Sequence, residues 1–146
     1  EACRAMHPIV KQLLKEYDGK IKIVTRYMLY HQNSRIAAIA LEEAHEQGKF
    51  DKALDILFEK QPEWADHHNP RAELIPVMIE QAGVSLKNMD NSTLAVKHGA
   101  KVDEDHSDGT IIGVRGTPTF FVNGEMIQDL GYEPLKQAIE SALAKK

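Results

Sequence analysis

The sequence predicts an α/β chain whose two ends build one sheet-based domain, with a block of helices inserted between them. Three observations carry that prediction. Residues 3–17 repeat apolar side chains at helical spacing and lead into a run of β-formers. Residues 119–143 read as strand, tight turn, strand and helix. Between these ends, residues 34–83 read as several helices, and residues 84–112 continue as helix with a weak pattern.

The first helix rests on Ile9, Leu13 and Tyr17 on one face, with Val10 and Leu14 beside them. Pro8 lies inside the pattern and predicts a kink near the first turns. Gly19 follows as a cap. Ile21 to Met28 is a near-continuous β-former run, which suits a central strand covered on both faces.

The middle reads as several helices. Ser34 is placed to cap one that carries Ile36, Ile39, Ala40 and Ala44 and ends near Gly48. Phe50, Leu54, Leu57 and Phe58 mark a second, stopped by Pro62. Asn69-Pro70 has the form of an N-cap and first-turn proline for a third, which ends at Gly83. Residues 84–112 continue as helix with a weaker pattern, interrupted by Gly99 and Gly109. At the far end, Thr119 to Val122 is a strand, and Asn123-Gly124 signals a type I′ hairpin. Glu125 to Leu130 returns, and Gly131 to Pro134 opens a final helix with Leu135, Ala138, Ile139 and Leu143 on one face.

Composition narrows the function. The 146 residues suit one domain with a sizeable insertion. A net charge of −4 gives no footprint for nucleic acid and no polybasic patch for anionic lipid. The longest apolar runs, Ile36 to Leu41 and Thr117 to Val122, fall far short of the roughly 18–20 residues that span a bilayer. No membrane insertion is expected. One cysteine, Cys3, rules out a scaffold stapled by intrachain disulfides. Asp66-His67-His68 has no third ligand at a metal-site spacing. Asp103-Glu104-Asp105-His106 with Asp108 lacks the glycine and terminal glutamate of a calcium loop. The first is read as a surface loop, the second as a solvated face, and Trp64 with Phe58 as a core anchor.

Two stretches carry chemistry. One is Ala2-Cys3-Arg4-Ala5-Met6-His7-Pro8, a cysteine at a helix N-terminus with a proline five residues on. The other is Gly113-Val114-Arg115-Gly116-Thr117-Pro118-Thr119-Phe120-Phe121-Val122-Asn123-Gly124, with proline directly before a strand. Together they resemble the thioredoxin superfamily, and the helical insertion makes the chain most similar to the DsbA-like thiol–disulfide oxidoreductases of bacterial envelopes. The resemblance implies a thioredoxin-like fold with an inserted helical domain. Residues 1–32 and 111–146 would form the thioredoxin-like part, N-terminally incomplete because its first strand would precede Glu1. Residues 33–110 would form the insertion.

The same resemblance assigns roles. Cys3 matches the second, resolving cysteine of a Cys-x-x-Cys motif, with Glu1 and Ala2 as the intervening pair and the attacking cysteine directly before Glu1. Thr117 and Pro118 match the cis-proline segment that faces the cysteines and holds an extended substrate by the backbone of Thr117. Glu1 and His7 are candidates for tuning the thiol pKa. An acid beside the attacking thiol raises that pKa, which predicts a site less oxidising than one with histidine there. The implied activity is oxidation, reduction or isomerisation of protein disulfides, with no metal or organic cofactor. The implied partners are cysteine-containing proteins and a redox partner protein, in the periplasm or cell envelope. Two other functions fit the same fold: a glutathione-linked transferase or isomerase of the kappa type, and a non-catalytic module that holds extended peptides.

Overall fold

The computed structural model describes residues 1–145, so Lys146, the end of the expected thioredoxin-like part, lies outside the described residues. Among the described residues, seven helices and one hairpin follow in order: α1 Ala2–Glu16, α2 Ser34–Glu46, α3 Phe50–Glu59, α4 Gln61–Trp64, α5 Leu74–Gln81, α6 Asn91–Ile111, β1 Phe120–Val122, β2 Glu125–Ile127 and α7 Tyr132–Ala144. The chain divides into two compact units. Unit 1 joins Glu1–Thr25 to Val114–Lys146, and unit 2 is Arg26–Gly113. Among the described residues, no helix is long and apolar enough to cross a membrane.

Unit 1 is built around α1, α7 and the hairpin. Helix α1 runs unbroken through Pro8. It buries Met6 and Leu13 against Leu135 and Ile139 of α7, with Phe120 and Ile127 of the hairpin packed on the same cluster. The strands pair antiparallel, Phe120 with Ile127 and Val122 with Glu125. Asn123 (φ 48°) and Gly124 (φ 86°) both take positive φ, the signature of the tight turn that the Asn-Gly pair predicts.

The expected strand at Ile21 to Met28 does not form. Among the described residues the one sheet is β1 with β2. Ile23 and Val24 are 49% and 67% exposed, so this stretch is not a covered central strand. β-propensity alone does not make a strand; a ladder needs a neighbour to accept its N–H groups. Here the backbone N–H of Tyr27 instead donates to the Asp105 carboxylate at 3.3 Å, and that of Leu29 to His106 Nδ1 at 3.1 Å.

Unit 2 is a helical block around Ala44, Leu57, Ile75, Ile79 and Val102. Trp64 is buried there as a core anchor, its indole N–H donating to the Leu57 carbonyl at 2.8 Å. Two helix starts differ from expectation. Asn33, not Ser34, is the N-cap of α2, and the Ser34 hydroxyl accepts from the His31 N–H instead. Asn69-Pro70 lies in a loop, and α5 opens four residues after Pro70, at Leu74. The reason is local: the Asp66 carboxylate takes the N–H groups of His68 and Asn69, at 2.7 and 2.8 Å, and closes a turn. Pro62 does not simply end a helix but sits in the first turn of α4.

Candidate functional site

Unit 1 carries all five residues that the sequence singles out. Glu1 is the N-cap of α1; its carbonyl accepts from the Ala5 N–H at 3.0 Å, and its side chain makes no capping bond. Cys3 is the second residue of the helix, a half-buried free thiol. The first turn of a helix presents N–H groups without helical partners and about half a positive charge, a setting that favours an anion. His7 follows four residues later on the same face, also half-buried.

Thr117 and Pro118 lie in the loop that enters β1, joined by a cis peptide bond. Thr117 is exposed and Pro118 half-buried. The loop is closed by the Thr119 hydroxyl, which donates to the Gly116 carbonyl at 2.7 Å. Two residues past Pro118, Phe120 enters the cluster to which Met6 contributes from α1. The helix that bears the thiol and the strand that follows the proline thus share one small core.

Two tyrosine–carboxylate pairs fasten α1 to α7. The Tyr17 hydroxyl donates to Glu140 at 2.8 Å, and the Tyr132 hydroxyl donates to Glu16 at 2.7 Å. Desolvation and the bond to Glu140 push the Tyr17 phenol up to about 12. Glu16, which also accepts from Gln12, is held below the ordinary carboxylate range by these two bonds.

The other sequence motifs are absorbed by structure in unit 2. The His67 ring meets that of His31 edge to face at 5.6 Å, and Asp66 serves its turn. The acidic run of α6 is no solvated face throughout. Asp105 is buried and pairs with Arg26, Asp108 pairs with the same arginine, and Asp103 pairs with Arg35. Glu43, Glu46, Lys97 and His98 belong to no sequence motif, and α2 and α6 bring them together. Glu-x-x-Glu spacing puts two carboxylates on one face of α2, but nothing in the sequence says which turn of α6 packs there.

A thioredoxin family model matches residues 1–141. The chain is 28% identical over 151 residues to Disulfide bond formation protein D of Bacillus subtilis, covering 94% of this chain and 63% of that protein. It is 32% identical over 147 residues to Na(+)/H(+) antiporter NhaA 1 of Salinispora arenicola, and 33% to Na(+)/H(+) antiporter NhaA 3 of Salinispora tropica. Each match covers 97% of this chain, which spans only 21% of the antiporter's length. No solved structure matches the chain significantly. Cys3 stands in the first turn of a helix whose core the proline-led strand shares, and the family match over nearly every residue places the chain in the thioredoxin family.

Proposed function

We propose that the chain is the thiol-bearing domain of a DsbA-like protein thiol–disulfide oxidoreductase. The observation that carries this reading is the position of Cys3 in the first turn of α1, and the similarity to Disulfide bond formation protein D supports it. Cys3 acts as the resolving thiol, with an attacking cysteine directly before Glu1.

The exchange then balances in two steps. The attacking thiolate forms a bond to one sulfur of a substrate disulfide, and the other substrate sulfur leaves as a thiolate. Cys3 next attacks the enzyme sulfur of that mixed disulfide and releases the second substrate thiol. The substrate is reduced, and the domain is left with a disulfide between its two cysteines. Oxidation of a dithiol runs the same steps backwards. The loop at Thr117-Pro118 holds the substrate's extended segment. The helical unit is the insertion, and the domain works in the cell envelope.

A second reading concerns its setting. Antiporters similar over 97% of this chain are nearly five times its length. The same chemistry then belongs to a domain attached to a longer membrane transporter.

Trapping tests the assignment. With a cysteine placed directly before Glu1, a Cys3→Ser chain incubated with a disulfide-bearing protein accumulates a stable mixed disulfide, and the Cys3 version clears it. Equal clearance by both would remove Cys3 from the resolving role.

A further inference from the structure

Helices α2 and α6 of unit 2 gather four polar groups that thiol exchange does not use. Glu43 is 1% exposed and His98 is 8% exposed. His98 Nε2 lies 2.7 Å from Glu43 Oε2 and 3.7 Å from Glu46 Oε2. These donor atoms all lie within 4.8 Å of one another, the only such group of three among the described residues. The same two carboxylate oxygens hold the Lys97 ammonium, at 2.7 and 3.0 Å.

Two features favour a cation there. The second oxygen of Glu43, Oε1, accepts from Gln47 Nε2 at 2.7 Å, and Gln47 Oε1 accepts from the Ser85 N–H at 2.8 Å. That chain fixes the carboxylate plane and leaves Oε2 turned towards His98 Nε2. Finally, the position is already attractive to positive charge, because Lys97 reaches into it on a long stem that is 36% exposed and able to withdraw.

One imidazole nitrogen and two carboxylate oxygens are the donor set of borderline divalent ions, and three protein ligands leave a fourth position open. We propose that Glu43, Glu46 and His98 form a divalent-metal site of the zinc class, with Lys97 as its built-in competitor. The ion replaces the ammonium, and Lys97 swings to solvent.

The test is calorimetric titration of the chain with Zn2+, paired with visible absorption on adding Co2+. One ion binds per chain, and a Cys3→Ser chain, which lacks the only thiol, binds equally. Lys97→Ala removes the ammonium that competes for the two carboxylates and tightens binding by at least about fivefold. His98→Gln, with its fold checked by circular dichroism, weakens binding by at least about tenfold. The proposal is overturned by no stoichiometric uptake in Lys97→Ala, by unchanged affinity in folded His98→Gln, or by loss of binding in Cys3→Ser. None of these outcomes bears on disulfide exchange, so the two proposals stand or fall separately.

Discussion

The Tyr17 hydroxyl donates to the Glu140 carboxylate at 2.8 Å, joining the end of the thiol-bearing helix to α7. The folded phenol is raised from 10.0 to about 12. A raised pKa contributes stability that is fully present below the unfolded value and is lost as pH rises through the folded one. The chain therefore loses stability between pH 10 and about 12, and Tyr17→Phe removes that part of the alkaline limb. Denaturant unfolding at stepped pH, read alongside tyrosinate absorbance, measures both.

Glu43 contributes to the acid side. Its folded carboxyl is lowered from 4.5 to about 2. A lowered carboxylate contributes stability present above the unfolded pKa and lost as pH falls through the folded one. Glu43→Gln thus flattens the acid limb between pH 4.5 and about 2. At neutral pH it costs about 1–3 kcal/mol, the scale of a buried partner left unsatisfied. Urea unfolding at pH 7 and pH 3 checks both parts.

Each unit has its own core, so core truncations act locally. Leu13 is 3% exposed in unit 1 and Leu57 is 2% exposed in unit 2. Either change to alanine costs about 2–5 kcal/mol. Native-state hydrogen exchange reads the location: Leu13→Ala lowers protection in α1 and α7 first, and Leu57→Ala in α3 and α5.

The two glycines inside α6 answer differently to alanine. A Cβ at Gly99 meets only the Arg35 guanidinium, with Nη2 at 2.6 Å, the far end of a half-exposed side chain. Arg35 yields, its surface pair with Asp103 loosens, and a helix gain of about 1 kcal/mol over glycine offsets the loss. Gly99→Ala is therefore neutral within about 0.5 kcal/mol or stabilising. A Cβ at Gly109 collides with Met28 Sδ and leaves Met28 Cε at 3.1 Å. Gly109→Ala costs about 1–3 kcal/mol by overpacking, and Met28→Ala in the same chain restores part of it. Thermal melts of the three variants separate these outcomes.

How far the sequence could be read depended on how local each signal was. Asn123-Gly124 encodes a turn whose φ values are set by those two residues, so the hairpin was legible. The helices were legible from apolar spacing, and α6 carried its weak pattern because its inner glycines admit Met28 and Arg35. The segment Ile21 to Met28 misled because residue type records a preference for extended backbone, not the presence of a partner strand. Asn69-Pro70 misled because the Asp66 carboxylate had already claimed the neighbouring N–H groups. Cys3 and Thr117-Pro118 stood out as motifs, whereas Glu43 and His98 are 55 residues apart and meet only through the packing of α2 on α6.

Turnover of insulin disulfides tests the central claim most directly, on two chains: the sequence as it stands, with Cys3 alone, and the same chain with a cysteine directly before Glu1. The account predicts negligible turnover for the first and sustained turnover for the second, abolished by Cys3→Ser. Strong turnover by the single-cysteine chain, or none by the folded two-cysteine chain, would contradict it.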